Sequence, residues 1–387
     1  MKEFDFAVGQ TNPQTFPLAA FREAADRAIQ REFESFNQYP GVKGHEGLRR
    51  LMAARESERE GVPVDPECMA LTNGSMQAVT LVGQALMAQR GDVVVTEEYT
   101  YSGTISAYRG IGLEMVGIPM DEQGMRMDCL ADTLEQLCAE GRKPRFIYTL
   151  TTYQNPTGTC MPASRKRELI ALAKRYDVPL VEDNCYGDVH FEGPVAPALF
   201  AMDQDAPAPA QHVYIGSLSK IFAPGVRLGY LYAPEPLFSH IAGQRFDAGS
   251  NTFAAAVLAE FYRDGIASHA GHTTPALIRK RDLLLDALAA NLSDQCLWSR
   301  PAGGLFLWLR LPADTDLEAL RQLTAARGFY YAPGRDFHVA GKDVPYLRLA
   351  FGHVPDELIS EGVGVLAECI TRCRTSNAAR GFDTLFD

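Results

Sequence analysis

An α/β fold, with a large domain built on a mostly parallel sheet and a smaller α+β domain, is predicted by three features of the sequence. Between residues 68 and 182, short apolar runs alternate with amphipathic helical periods, and strand-helix-strand repetition of this kind makes a mostly parallel sheet covered on both faces. After residue 291 the pattern changes to apolar runs flanking two helices. The 387 residues also exceed what one ordinary core serves. The chain accordingly divides into an N-terminal arm with part of the small domain (1–46), a large domain (47–290) and a C-terminal small domain (291–387).

Residues 1 to about 16 lack periodicity and include Gly9, Asn12 and Pro13, which predicts an extended arm lying across another part of the protein. A helix follows over 18–31. The turn-rich stretch from Tyr39 to Gly47 leads into an amphipathic helix ending near Glu60. Strands are predicted at 69–72, 93–96, 114–119, 146–151 and 179–182, with helices over 76–88, 102–108 and 163–176. Two further apolar runs, 213–216 and 230–232, bracket a loop that holds Lys220. Beyond Pro234 the chain is largely helical, with one long period over 275–292. Strands at 298–301, 304–310, 329–331 and 346–350 then flank helices at 316–327 and 355–373. The polar tail, 375–387, is expected to be poorly ordered, and the Ala/Pro run at 206–210 is a low-complexity loop.

Composition narrows the function. Hydrophobic residues at 46% and charged residues at 22% are ordinary for a globular protein. A formal net charge of −11, with no basic run carrying interleaved aromatics, argues against nucleic acid as a partner. Apolar stretches break before the roughly 18 residues that a membrane helix needs, so no membrane association is expected. The early acidic residues and the lack of an apolar signal core point to the cytoplasm. Eight cysteines without Cys-x-x-Cys spacing suit reduced thiols. Cys369 and Cys373 lie one helical turn apart, but with no His or Cys cluster nearby no metal site is expected.

The chemistry gathers at the predicted strand ends. Thr72-Asn73-Gly74-Ser75-Met76-Gln77 turns from strand into helix, where free N–H groups and the helix dipole favour an anion such as phosphate; an ordinary Ser cap reads the same way. Tyr99 and Tyr101 offer rings for stacking, or simply core. Asn155, before Pro156, is an amide held by a turn, or a plain turn. Asp183 ends an apolar strand with Tyr186 three residues on, and a carboxylate buried there is costly unless it meets a cation. Ser217-x-Ser219-Lys220 and Arg227 place an amine beside an anion site; alone, this loop reads equally as solvated surface.

Together, Asn155-Pro156-Thr157-Gly158, Asp183-x-x-Tyr186, Ser217-x-Ser219-Lys220-x-x-x-Pro224-Gly225-x-Arg227-x-Gly229, Pro301-x-Gly303-Gly304-x-Phe306-x-Trp308 and Tyr346-Leu347-Arg348-Leu349 resemble the motifs of the class I and II aminotransferases, the fold-type I pyridoxal 5′-phosphate enzymes. They occur in that family's order, over nearly the whole chain. The resemblance implies a large pyridoxal phosphate-binding domain and the transfer of an amino group between an L-amino acid and a 2-oxo acid, in amino acid metabolism or biosynthesis. It implies that Lys220 forms the Schiff base with the cofactor and moves the substrate Cα proton. Asp183 would pair with the pyridine nitrogen, Asn155 and Tyr186 would hold the phenolic oxygen, and Tyr101 would stack on the ring. Ser75, Gln77, the Met76 N–H, Ser217, Ser219 and Arg227 would bind the phosphate. Arg348, with Asn155, would take the substrate carboxylate. Tyr39 would reach the phosphate of a neighbouring subunit, which makes the expected assembly a homodimer with shared active sites.

Two positions depart from the family pattern. Met76 stands where a polar residue, usually Gln, follows the phosphate serine, and Asn184-Cys185 stands where an acidic residue and proline are usual. The same scaffold also serves β/γ-elimination, replacement and cyclisation, which is the alternative within the family. A ligand-sensing regulator with an aminotransferase-like domain is a different class of reading. It calls for a basic DNA-binding module ahead of the arm, and this acidic chain opens on the arm itself.

Overall fold

The computed structural model describes residues 2–204, 211–263 and 266–374; the expectations for the 206–210 loop and the 375–387 tail fall outside the described residues. The arm contains strand β1 (Phe4–Asp5) and is followed by helices α1 (Leu18–Glu32) and α2 (Glu46–Glu60). Then come β2 (Met69–Thr72), α3 (Ser75–Leu86), β3 (Val93–Glu97), α4 (Ser102–Ile111), β4 (Glu114–Ile118), the hairpin β5 (Met120–Asp121) and β6 (Gly124–Met125), α5 (Met127–Ala139), β7 (Phe146–Thr149) and α6 (Ala163–Tyr176). Next are β8 (Leu180–Asp183), α7 (Leu199–Met202), β9 (His212–Ser217) and β10 (Gly229–Tyr232), followed by α8 (Leu237–Ala242), α9 (Thr252–Phe261) and α10 (Ile266–Leu292). The C-terminal part holds β11 (Leu297–Trp298), β12 (Phe306–Arg310), α11 (Leu317–Ala326), β13 (Phe329–Tyr330), β14 (Ala332–Pro333), β15 (Tyr346–Ala350) and α12 (Asp356–Arg372).

Seven strands form one sheet in the order β2-β10-β9-β8-β7-β3-β4. It is parallel except for β10, which runs antiparallel to both β2 and β9. Strands β3, β7, β8 and β9 are buried along their whole length, which is why their apolar residues stand side by side rather than alternate with polar ones. One apolar cluster joins α3 and α8 to the sheet, while a second joins α5 and α6 to it from β3, β7 and β8.

The second sheet, β11-β12-β15-β14, is antiparallel. Its core joins α10, α11 and α12 and takes in Phe4 and Phe6 of the arm. β1 pairs in parallel with β13, and the Phe6 carbonyl accepts from the Ala350 N–H at 2.8 Å. Burying each of those two phenylalanines contributes about 1.5–3 kcal/mol. The arm is thereby fastened to the C-terminal part.

The 120–139 stretch, for which the sequence reading gives no element, folds as the β5–β6 hairpin and α5. The hairpin strands are too short for a period-2 signal. Helix α5 has a true stripe, Met127, Leu130, Leu134 and Leu137, all buried, but no side-chain cap marks its start. Helix α10 begins at Ile266, well before the expected 275, and carries Pro275 inside it. A proline suits a first turn, which is what shortened the expectation. No helix among the described residues is long and apolar enough to cross a membrane.

Candidate active site

The carboxyl ends of the parallel strands open on a cavity of about 490 Å³ between the two sheets. One wall is the turn from β2 into α3. The Thr72 hydroxyl donates to the Gly74 carbonyl at 2.9 Å, and Gly74 sits at φ 76°. A Cβ there would lie 2.6 Å from Nη2 of Arg227, so glycine lets the guanidinium close over the turn. Ser75 and Met76 line the cavity, and the first-turn N–H groups of α3 have no helical acceptor of their own. Gly229 is needed for the same cradle, since its Cβ would meet the Ser75 nitrogen at 2.7 Å.

Opposite, β9 delivers Ser217 and the loop after it delivers Ser219, both buried; the Ser219 N–H donates to Ser217 Oγ at 3.2 Å. Arg227 occupies the left-handed region at φ 53° and donates to the Pro224 carbonyl at 3.3 Å. Two serine hydroxyls, a helix N-terminus and a guanidinium make a set of donors suited to a phosphate dianion.

Lys220 projects from that loop, and its Nζ donates to the Gly9 carbonyl of the arm at 2.6 Å. Burial lowers its pKa from 10.5 to about 8, assisted by the nearby Arg348 and Arg227 charges, while Cys185 opposes the shift. Asp183 ends β8 inside the cavity, with Oδ2 accepting from the Tyr148 hydroxyl at 2.7 Å. Its Oδ1 is buried and has no hydrogen-bond partner among the described residues. Burial raises the Asp183 pKa, and the Cys185 thiol and Tyr148 offset that only in part. A protonated ring nitrogen is the cation that such an orphaned acceptor calls for. The residues present therefore fit pyridoxal phosphate at both ends, ring nitrogen and phosphate.

The far wall is built from the C-terminal sheet. Arg348, on the central strand β15, is buried and stacks over the rings of Phe306 at 4.2 Å and Phe337 at 4.8 Å. Its Nη1 donates to Asn155 Oδ1 at 3.0 Å and its Nη2 to the Ala7 carbonyl at 2.6 Å, while Nε is buried without a partner. Burial brings its pKa down to about 10. Asn155 Nδ2 in turn donates to the Tyr186 hydroxyl at 3.3 Å. Tyr101 lines the cavity just before α4, its ring folded close over Gly103, where a Cβ would come within 2.6 Å of it.

Ser75, Met76, Tyr101, Asn155, Asp183, Tyr186, Ser217, Ser219, Lys220, Arg227 and Arg348 thus meet in one cavity. Two expected residues do not. Gln77 turns away: its Oε1 accepts from the Asn73 N–H at 2.7 Å and its Nε2 donates to Asp247 at 2.5 Å, so the phosphate contact expected of its side chain is replaced by this one. Tyr39 is 88% exposed and borders a separate groove. Sequence reasoning missed the arm carbonyls of Ala7 and Gly9, the Phe306 ring under Arg348, and Tyr148 behind Asp183. Only Phe306 left a sequence signal, in the motif that ends at Trp308.

A doubly wound sheet with a lysine, an aspartate and a phosphate cradle at its strand tips, facing a smaller α+β part, defines a fold-type I pyridoxal 5′-phosphate enzyme. Residues 2–366 match the family described as Aminotransferase class I and II, and the chain belongs to that family. It is 35% identical to the aromatic-amino-acid aminotransferase 1 of Thermococcus litoralis over 369 residues, 94% of this chain and 87% of that protein. The multiple substrate aminotransferase of Thermococcus profundus superposes with a TM-score of 0.89 at 31% identity, covering 96% of this chain and 91% of the other. The alpha-aminoadipate aminotransferase of Thermus thermophilus, solved with N-(5′-phosphopyridoxyl)-L-leucine, gives 0.87 at 28% identity, covering 96% and 92%. The protein is a pyridoxal phosphate-dependent aminotransferase that acts on an amino acid and a 2-oxo acid. Elimination, replacement and cyclisation are not favoured by these relatives.

Proposed function

We propose that Lys220 holds the cofactor covalently and moves the proton at the substrate Cα, and that Asp183 keeps the ring nitrogen protonated. The convergence of the Lys220 amine, the orphaned Asp183 Oδ1 and the α3 N-terminus on one cavity carries this reading. When bound, the cofactor supplies a protonated ring that accepts the electrons left by Cα–H cleavage. Ser75, the Met76 N–H, Ser217, Ser219 and Arg227 bind the phosphate. Asn155 and Tyr186 hold the ring oxygen, and Tyr101 covers the ring face. Arg348 takes the α-carboxylate with its planar fork, and Asn155, already bonded to it, fixes the fork's orientation. With a pKa near 8, Lys220 is a workable base around neutral pH, and the arm holds its amine through the Gly9 carbonyl.

The relatives' names support aromatic amino acids and 2-aminoadipate as first substrates to try. The high exposure of Tyr39 supports its reaching into the site of a second copy, in a homodimer with shared sites. The proposed division is the arm with part of the small domain (1–46), the cofactor domain (47–290) and the small domain (291–387). Phe4 and Phe6 in the C-terminal apolar cluster support the first assignment, whereas Leu284, Ala287 and Leu288 of α10 lie in that same cluster, so the second boundary falls inside a helix whose end packs on the small domain. Eight free cysteines suit a cytoplasmic location. The test is to incubate the holoenzyme with an amino acid panel, with and without 2-oxoglutarate, following the cofactor spectrum and the products. Exchange of the amino group with the oxo acid is expected. Release of ammonia or a cyclised product would overturn the reading. Coexpressing subunits inactivated at Lys220 with subunits inactivated at Tyr39 checks sharing, because only a shared site restores activity.

A further inference from the structure

We infer that Tyr148, itself aligned by Thr104, is a positioning residue that fixes the Asp183 carboxylate by its Oδ2 and leaves Oδ1 free for the cofactor's ring nitrogen. The inference rests on the assignment of Asp183 to that nitrogen. Tyr148 lies on β7, fully buried beside β8, and its hydroxyl is 2.7 Å from Asp183 Oδ2 and 3.0 Å from Thr104 Oγ1 on α4. An ionised carboxylate only accepts, so the single phenolic proton goes to Asp183 and the Thr104 hydroxyl must donate to the phenol oxygen. The chain of donors therefore has one direction, from α4 through β7 to β8. Each bond polarises the next, which makes the phenol a better donor than it would be alone.

The surroundings keep this chain dry and unbranched. Tyr108, one turn beyond Thr104 on α4, packs edge-on against the Tyr148 ring at 5.6 Å and 89°. Thr104, Tyr108 and Tyr148 are all buried. The titratable groups that act on Asp183, besides Tyr148, are the Cys185 thiol, which favours the charged form, the phenols of Tyr101, Tyr108 and Tyr186, and, from the other face of β8 where it is bonded to Lys166, the Glu182 carboxylate, which favours the neutral acid. No cation of the chain bonds to the Asp183 carboxylate among the described residues, so Tyr148 is its hydroxyl donor and the ring nitrogen its counter-ion. Helix α4 starts immediately after Tyr101 and carries Thr104, so one helix sets both the residue over the ring and the residue behind the nitrogen's partner.

The test compares wild-type holoenzyme with Tyr148→Phe, Thr104→Val and Asp183→Asn. The readouts are the rate of pyridoxal phosphate release on dialysis, the pH titration of the visible band, and kcat and KM for the amino acid. Tyr148→Phe removes a hydrogen bond to a charged group, so release should accelerate about tenfold to a hundredfold. Its visible band should titrate at a displaced pH, with kcat lowered and KM little changed. Thr104→Val should shift the same quantities in the same direction by about threefold, consistent with a net contribution near that of one neutral hydrogen bond. It decides the matter if Tyr148→Phe does not fold. Wild-type release and titration in both variants, with Asp183→Asn altered, would overturn the positioning role while leaving the site reading intact. If Asp183→Asn is also unaltered, the assignment of Asp183 fails and the inference fails with it.

Discussion

Replacing Arg348 with lysine probes the substrate end of the cavity while keeping the positive charge. Nη1 and Nη2 are oriented by Asn155 and by the arm carbonyl of Ala7, and the guanidinium plane is clamped between Phe306 and Phe337. A guanidinium so held can give a carboxylate two parallel bonds, whereas an ammonium gives one and does not stack as a plane. Losing one charge-assisted hydrogen bond costs about 1.5–3 kcal/mol, which is about a 10- to 150-fold rise in the half-saturating amino acid concentration. The assay is a titration of the holoenzyme's visible spectrum with amino acid in the absence of oxo acid, which isolates the first half-reaction. Cofactor release should change far less than half-saturation, because Arg348 makes no part of the phosphate cradle or the Asp183 pocket and reaches the cofactor only through Asn155. An unaltered half-saturation would remove Arg348 from substrate binding and with it the functional meaning of the Arg348–Asn155 contact.

Three further outcomes are expected. Because burial lowers the Lys220 pKa to about 8, the amine is mostly protonated below that pH and mostly free above it. Capture of pyridoxal phosphate by apoenzyme should therefore quicken about tenfold per pH unit up to pH 8 and level off beyond, and a rate still climbing at pH 10 would contradict the lowered pKa. Gly229→Ala sets a Cβ against the backbone of Ser75 and Gly74, which should cost about 1–3 kcal/mol of overpacking and appear as a lower Tm with faster cofactor loss; a wild-type Tm and cofactor retention would show that the cradle yields. Phe6→Ala empties a fully buried position that joins the arm to the C-terminal core, with an expected loss of about 3–5 kcal/mol in chemical denaturation, and a change below 1 kcal/mol would mean that the arm is not anchored there.

The elements with a clean period were legible from sequence. Helix α6 spans the expected 163–176 and β15 the expected 346–350, because apolar spacing alone determines which side of each can be buried. The strand-end residues were legible because their types are chemically demanding. What escaped depends on contacts between distant parts of the chain. The partner of Lys220 is a backbone carbonyl, which any residue at position 9 would provide, although a Cβ there would lie 2.7 Å from Phe306. Tyr148 sits inside an apolar strand and looks like core until Asp183 is placed beside it. Gln77 reads like its neighbour Ser75, yet two steps along a helix rotate a side chain by about 200°, away from the cavity and onto Asp247.

The pairing of β1 with β13 has a consequence for how the protein is made. Phe4 meets Phe329 and the Phe6 carbonyl meets Ala350, so the arm, once it leaves the ribosome, waits for partners more than 300 residues behind it. At 5–20 residues per second that delay is roughly 16 to 65 s. The central sheet, whose strands lie between residues 69 and 232, can close during that interval, whereas the carbonyls that hold Lys220 and Arg348 cannot be set until residues 329–350 have emerged. A nascent chain should thus contain a formed cofactor cradle well before it contains a working enzyme, and the arm is the part a chaperone would be expected to find unattached.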